Sequence, residues 1–200
     1  MERKVINFLY PYGATPLDPD ETEGLIPIHI STQAELNEWE QSNILEAHQW
    51  LGKHELNSKE VLDIDYTRQV HFKMFNKTWK WAGQYRRTNK NIGVDWPLIA
   101  VYFKQLLDDV NYQILHKTYS VDEIAARYHH RLVALHLFPN GNGRHARLMA
   151  DILLTSQNQN RFSWGLNMQQ PMEIIRKGYI DSLRAADRHD FQALLNFVRK

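Results

Sequence analysis

The chain has 200 residues, no cysteine, a formal net charge of +1 and 12% aromatic residues. This length is typical of one medium-sized globular domain. The balanced charge gives no ground for a nucleic-acid or membrane-surface partner. The lack of cysteine excludes disulfides, thiol nucleophiles and cysteine-ligated zinc. The apolar runs are too short for a membrane span or a signal peptide, so we expect neither of these and a cytoplasmic protein.

The first part of the chain, residues 1–31, is predicted to be an N-terminal arm. Its segment "DPDE" has the pattern of a helix start. Asp18 can cap the helix, Pro19 suits its first position, and Glu21 lies three residues after the cap. Gly24 ends the helix soon afterwards. The arm is therefore expected to carry one short helix.

Residues 32–200 are predicted to be the main domain, and their pattern is helical. Thr32 and Glu35 can form a capping box, and no helix breaker follows until Gly52. A second helix is predicted over about 58–75, where apolar residues recur at fourfold spacing. The main domain is thus expected to begin with two long helices.

Helical signals resume at Pro97, which can open a helix reaching about residue 116. Ser120 begins another helix, which should end before Pro139. A further helix is predicted to begin near Asn142, and two more carry apolar stripes near the C-terminus. The predicted fold class is all-α.

Residues 82–96, "AGQYRRTNKNIGVDW", interrupt this helical pattern. Glycines lie towards both ends, and the centre is polar. The pattern favours a small β-hairpin, with a plain loop as the alternative.

The segment "LHLFPNGNGRHAR", residues 135–147, has the features of a phosphate site. Gly141 and Gly143 let the backbone approach a ligand closely and take positive φ. A helix that begins there presents unpaired N–H groups and a positive dipole end. The sequence therefore predicts an anion site over residues 140–144.

Three side chains near this site fit phosphate chemistry. Arg144 and Arg147 are three residues apart, so both should lie on one face of the new helix. Two guanidinium groups beside the backbone N–H groups suit a polyphosphate. His136 ends the preceding helix and can accept a proton from a hydroxyl at neutral pH. The pattern indicates transfer of a phosphorus-containing group to a hydroxyl.

The segment "HLFPNGNGRHAR" resembles the signature of the Fic (filamentation induced by cyclic AMP) domain family. That signature is His-x-Phe-x-(Asp/Glu)-Gly-Asn-Gly-Arg-x-x-Arg. The segments "FNKTWKWAGQYRRTNKNIGV" and "RYHHRLVALH" also resemble family sequences that precede this motif. "TPLDPDETEGL" and "ELNEWEQSNI" resemble the branch called mobile mystery protein B. The resemblance implies a Fic-type helical bundle with a β-hairpin flap.

The resemblance also implies an activity, since family members transfer AMP from ATP to a Ser, Thr or Tyr hydroxyl of a target protein. By that resemblance His136 is the general base and Phe138 is a core anchor. The nucleotide-binding residues would be Asn140, Gly141, Asn142, Gly143, Arg144 and Arg147. Within this set, Arg147 would reach the γ-phosphate. The flap that docks the target backbone would comprise Arg87, Thr88, Asn89, Lys90, Asn91, Ile92, Gly93 and Val94.

Two positions depart from the family signature. Leu137 stands where proline is usual. Asn140 stands where an acidic residue binds Mg²⁺, and a neutral amide is a poorer ligand for a hard dication. ATP with Mg²⁺ or Mn²⁺ is still the expected cofactor set, with Asn140 as a weak metal ligand.

The family resemblance also implies regulation by a glutamate that pairs with the second motif arginine. In the arm, "PDETEG" presents Glu23 before a glycine, which matches the inhibitory pattern in part. We expect Glu23 to pair with Arg147 as a brake, and an acidic solvated arm is the alternative.

Other functions keep the same fold. With a different donor, the transferred group could be phosphate or phosphocholine and not AMP. A catalytically weak regulator that binds a nucleotide or a protein is a further alternative, favoured by Asn140. The branch resemblance implies a toxin–antitoxin setting with a helix-turn-helix partner protein, and a homodimer stays open.

Overall fold

The structure, a computed structural model, describes residues 16–53, 58–166 and 168–200. Within these ranges the chain forms nine α-helices and one short 3-10 turn, Trp96–Leu98. The helices are α1 (Pro19–Thr22), α2 (Gln33–Leu51), α3 (Ser58–Val61), α4 (Ile64–Phe75), α5 (Ile99–His116), α6 (Val121–Leu135), α7 (Asn142–Ser156), α8 (Met172–Asp187) and α9 (Gln192–Val198). The predicted all-α class is confirmed. In the same ranges, no helix is both long and apolar enough to cross a bilayer.

Helices α6 and α7 lie at the centre of the fold and pack against each other. Helix α5 and helix α9 pack on α6, while α3 and α4 pack on α7. Burial of apolar side chains is the main force that holds such a bundle together. The two central helices supply many of the buried side chains, among them Ile124, Ala125, Tyr128, Leu132, Ala146, Met149 and Leu153. The loop that joins α6 to α7 is therefore anchored in the core at both ends.

The helix starts follow side-chain caps. Thr32 accepts the backbone N–H of Glu35 at 3.2 Å, as the predicted capping box requires. The single helix expected over 58–75 is wrong, because α3 ends before α4 begins. Asp63 is extended there, and its side chain accepts the N–H of Tyr66 at 2.9 Å. A carboxylate in this position caps a new helix, which explains the break.

The β-hairpin expected over residues 82–96 is not formed, and this described stretch is an irregular loop. Arg86 is 1% exposed and provides the reason. Its Nη1 donates to the Thr88 carbonyl at 2.8 Å, and its Nη2 donates to the Val94 carbonyl. In a hairpin, backbone N–H groups of the opposite strand would pair with such carbonyls. Here the buried Arg86 guanidinium donates hydrogen bonds to these carbonyls, and the strand pairing does not form.

The described part of the predicted arm packs onto the main bundle. Helix α1 forms where it was predicted. Leu25 is buried and bridges to Trp79, and the N–H of Ile26 donates to the Thr78 carbonyl at 2.8 Å. The boundary between an arm at 1–31 and a main domain stays a prediction, and the first fifteen residues lie outside the described part.

Two buried histidines tie α4 to the segments around it. His71 accepts the N–H of Gly83 at Nδ1, 2.9 Å away, so its proton is on Nε2. That Nε2–H donates to the Asn140 carbonyl at 3.1 Å. His145 on α7 donates from Nε2 to the Thr67 carbonyl at 2.9 Å. Both rings act as neutral links between helices and loops.

Burial keeps these rings neutral at physiological pH. It lowers the pKa of His71 well below its usual value, with the nearby His145 ring adding to the effect. Burial also lowers the pKa of His145 to about 4 and that of His129, on α6, to about 3. Protonation would place a cation in the core without water, which is costly.

We expect the free energy of unfolding to fall as the pH drops from about 6.5 towards 4. The unfolded chain protonates its histidines below a pKa of about 6.5, whereas the native chain does not. Each such histidine then lowers the free energy of unfolding by about 1.4 kcal/mol for each pH unit below 6.5. Urea denaturation between pH 7.5 and 4.5 measures the slope. His145→Gln should reduce it by about one proton, whereas the exposed control His116→Gln should not. A stability that is flat across this window would contradict the account.

Candidate functional site

The loop between α6 and α7 has two residues with positive φ at its ends. His136 caps α6 with φ 54°, and Gly141 precedes α7 with φ 78°. A Cβ at Gly141 would lie 2.6 Å from ring carbons of Phe75. A side chain at Gly141 is therefore excluded by both conformation and space. The chain therefore reverses its direction between α6 and α7 within this short loop.

Asn142 holds this loop closed. Its Oδ1 accepts the N–H of Phe138 at 2.9 Å, and its Nδ2 donates to the Phe138 carbonyl at 2.8 Å. The Phe138 ring is buried and stacks on His71 at 3.7 Å. The core position expected for Phe138 is thus present. The Asn142 side chain is committed to structure, so only its backbone N–H is left for a ligand.

The start of α7 offers the N–H groups of a helix first turn, which have no acceptor within the helix. Gly143 lies inside this turn, and unlike Gly141 it does not have positive φ. A Cβ at Gly143 would meet only the Tyr179 hydroxyl, at 3.9 Å. The absence of a side chain there leaves open space beside the backbone. The Gly141 N–H donates to Asn140 Oδ1 at 2.6 Å, so one N–H of the predicted anion site is already bonded.

His136 is buried, and its two ring nitrogens have no hydrogen-bond partner among the described residues. Burial, together with the nearby Arg86 and Lys90 cations, lowers its pKa to about 3. The ring is therefore neutral at pH 7, which is the state that can accept a proton. A Cβ at Gly93 would lie 2.8 Å from the His136 Cβ. The flap, residues 87–94, thus lies directly against His136.

The two motif arginines contact different parts of the fold. Arg144 donates to Glu40 Oε2 of α2 at 2.8 Å and lies over the Phe75 ring. Arg147 lies over the Tyr179 ring of α8, with its guanidinium carbon 5.6 Å from the ring centre. The expectation of one shared face holds for their positions on α7, but their guanidinium groups have separate partners.

Glu40 is a buried carboxylate that the motif does not contain. It is 5% exposed, and besides Arg144 it accepts the Trp79 Nε1–H at 2.7 Å. Buried charges require such partners. Glu40 therefore fixes the position of the first motif arginine.

The flap is tied to α1 by an ion pair. Lys90 is 3% exposed at its side chain and contacts Asp18 at 2.8 Å and Glu21 at 2.5 Å. The Thr88 hydroxyl also donates to Asp18 at 2.7 Å. These contacts hold the flap over His136. Glu23, the expected inhibitory residue, is exposed at the C-terminal end of α1, and its pairing with Arg147 stays a prediction.

The remaining flap residues face outward for the most part. Arg87, Asn89, Asn91 and Ile92 are exposed. Asn89 Oδ1 accepts the N–H of Trp96 at 2.9 Å. Because the flap is not a strand in this conformation, it would have to straighten before it could pair with a target backbone.

The residues of the loop do not make a protein-held metal site. Asn140 has its amide oxygen turned back onto the Gly141 N–H. Over the described residues, no group of three or more His, Cys, Asp or Glu side chains could hold a metal ion.

Four residues of the site were missed by the sequence reasoning: Arg86, His71, Glu40 and Tyr179. Glu40 has a usable signal, because it lies on the buried helical face of α2 between apolar positions. Arg86 has none, since the adjacent Arg87 has the same chemistry.

The site can be compared with known proteins. The profile of the Fic/DOC family matches residues 61–154. Protein adenylyltransferase fic-1 of Caenorhabditis briggsae is 32% identical over 122 residues, which is 60% of this chain and 23% of that protein. A Fido domain-containing protein of Dictyostelium discoideum is 38% identical over 66 residues, which is 33% of this chain and 41% of that protein. The chain spans less than half the length of either relative.

Solved structures agree with this match in fold. The BepC protein of Bartonella tribocorum, a VirB-translocated effector with bound AMPPNP, has a TM-score of 0.66 at 20% identity. The superposition covers 91% of this chain and 97% of that one. The mobile mystery protein B branch stays a prediction. The profile match and the fold agree, so residues 61–154 are the part of the chain that is similar to the Fic/DOC family.

Proposed function

We propose that the chain is a protein adenylyltransferase, which transfers AMP from ATP to a hydroxyl side chain of a target protein. The observation that carries the proposal is the turn between α6 and α7. It holds a neutral histidine with two unpartnered ring nitrogens, His136, in the same loop as the start of α7 with its arginines Arg144 and Arg147. A base and an anion site on one rigid turn suit phosphoryl chemistry.

The chemistry assigns one role to each part. The target hydroxyl gives its proton to His136 as its oxygen bonds to the α-phosphorus. The bond between the α-phosphorus and the bridging oxygen breaks, and pyrophosphate leaves with the bonding electron pair. Backbone N–H groups over 141–144 would stabilise the charge on the α-phosphate oxygens. Arg144 and Arg147 would hold the departing phosphates.

Known proteins support this choice of donor and acceptor. The relative from C. briggsae carries the name protein adenylyltransferase, and the BepC structure contains an ATP analogue. Mg²⁺ or Mn²⁺ would enter with ATP as part of the substrate, since the described residues contain no cluster of three His, Cys, Asp or Glu side chains that could hold the ion alone.

The flap would have to leave His136 for a target to enter. Opening would admit a substrate hydroxyl and would also give the ring water, which would raise its pKa from the buried value. The flap residues 87–94 would then pair with the target backbone as an added strand.

Regulation is the second part of the proposal. We propose Glu23 as a brake that acts on Arg147. Its helix, α1, already restrains the flap through Asp18, Glu21 and Lys90. A change in α1 would therefore affect both the flap and the arginine.

One observation favours a weaker catalyst or a nucleotide-binding regulator. Asn140 occupies the Gly141 N–H with its own amide oxygen, where a phosphate oxygen would otherwise bind. The same site could also take another phosphate-group donor. A target protein, a helix-turn-helix partner and a homodimer remain proposals about partners.

We expect α-labelled ATP, but not γ-labelled ATP, to label a target protein in a lysate. His136→Ala should lower the labelling about 100-fold or more, because a general base contributes at least that factor. The exposed control His116→Ala on α5 should keep full labelling.

Other labelling patterns would distinguish phosphate transfer and a nucleotide-binding regulator from AMP transfer. Label from the γ position alone would mean phosphate transfer, and this would contradict AMP transfer. No label from either position, with nucleotide still bound, would favour the regulator.

Loss of the brake should raise activity. Glu23→Gly is expected to increase α-label transfer about 5-fold or more, which corresponds to a typical regulatory coupling energy. Asp20→Gly is the matched control, since it removes one exposed carboxylate from the same helix. Equal labelling by wild type and Glu23→Gly would reject the brake.

A further inference from the structure

Arg86 binds the end of α6 through both its backbone and its side chain. Its backbone N–H donates to the Leu137 carbonyl at 3.0 Å. Its Nε donates to the His136 carbonyl at 2.6 Å, and its Nη2 donates to the Leu135 carbonyl at 3.4 Å. Three successive carbonyls, at residues 135–137, therefore accept hydrogen bonds from one residue that lies 50 positions before His136 in the chain.

The end of α6 needs such a partner. The last carbonyls of a helix have no N–H acceptor partner within the helix, and a positive charge is favourable at this end of the helix dipole. His136 takes φ 54° and ψ 63°, a left-handed conformation that is unfavourable for a residue with a side chain. Arg86 binds the peptide groups on both sides of His136, so it stabilises this conformation and fixes the direction of the Cα–Cβ bond.

The same guanidinium also binds the flap. Its Nη1 donates to the Thr88 carbonyl at 2.8 Å, and its Nη2 donates to the Val94 carbonyl. A Cβ at Gly93 would lie 2.7 Å from Arg86 Nη2 and 2.8 Å from His136 Cβ. The flap backbone therefore packs against both side chains and keeps the guanidinium in contact with the His136 peptide groups.

The Arg86 side chain is committed to these contacts. The residue is 1% exposed, and each of its three side-chain nitrogens donates to a carbonyl of the described residues. Water does not compete for hydrogen bonds that are buried in this way. Any effect of Arg86 on group transfer must therefore pass through the residues that it holds.

We propose that Arg86 is a positioning residue for the general base, which holds both peptide groups of His136 and so sets where the imidazole ring lies relative to the start of α7. This inference rests on the proposed function and deepens it. Asn142 closes the loop from Phe138 onward. Arg86 fixes the part of the loop before Phe138, which contains the base.

The test compares group transfer with nucleotide binding in the full chain and its variants. Arg86→Met removes all side-chain donors, and at saturating ATP with Mg²⁺ it should lower α-label transfer to lysate proteins about 10-fold or more, because a misplaced base is a poor base. Arg86→Lys keeps the charge and one donor group, so it should lose less. The Kd of a non-hydrolysable ATP analogue, measured by calorimetry, should stay within about 2-fold of the wild type.

A double variant separates an effect on the base from an effect on target docking, since Arg86 also holds the flap. If Arg86 acts through His136, Arg86→Lys should cause no further loss of label once His136→Ala has removed the base. The same loss in both backgrounds would place the effect in the flap or the fold and would overturn the inference.

Arg131→Met is the matched control. It removes an arginine from α6, where the side chain of Arg131 is 39% exposed and pairs with Asp109 at 2.7 Å. It should transfer label and bind the analogue as the wild type does. Thermal unfolding of each variant shows whether the fold is kept. If Arg86→Met does not fold, Arg86→Lys carries the test.

The remaining outcomes separate this inference from the proposed function. If the wild type transfers α-label and folded Arg86 variants transfer it equally well, the inference is overturned and the proposed function stands. Equal weakening of transfer and of analogue binding would also overturn it, because Arg86 would then act on the anion site. If the wild type transfers no α-label, the proposed function fails, and the inference about its base fails with it.

Discussion

The turn between α6 and α7 depends on a pair of hydrogen bonds between the Asn142 side chain and the backbone of Phe138. These bonds are buried, so water does not compete for them. They close the loop that begins with His136 and direct the first turn of α7 towards the same side. Without them, the base and the anion site would not belong to one rigid unit. Phe138, stacked on His71, anchors this unit in the core.

Burial gives the site its resting state. His136 is neutral because the flap and the Arg86 guanidinium exclude water and add positive charge. A ring in this state has the right protonation for a base, but a covered base has no substrate. Arg86 holds the flap at Thr88 and Val94, and the ion pairs of Lys90 with Asp18 and Glu21 hold it between these two points. Access and basicity are therefore coupled, because the same movement would supply both.

Local sequence patterns predicted the helix starts and turns, because these features depend on residues that are close together in the chain. The cap at Thr32, the start of α7 and the glycine needed at position 141 all follow from short-range geometry. Contacts between distant residues could not be predicted in this way. Arg144 pairs with Glu40, which is 104 residues away, and the hairpin pattern gave way to the buried guanidinium of Arg86. These features depend on contacts between residues that are far apart in the chain. Local sequence patterns do not show which distant residues will be in contact.

The central claim is that this turn binds the phosphates of a nucleotide next to His136. A crystal structure with a non-hydrolysable ATP analogue tests it most directly. The account predicts α-phosphate oxygens about 3 Å from the backbone nitrogens over 141–144, with Arg147 on the outer phosphates. It also predicts that Asn140 Oδ1 leaves the Gly141 N–H. A nucleotide bound elsewhere, with that hydrogen bond intact, would contradict the account.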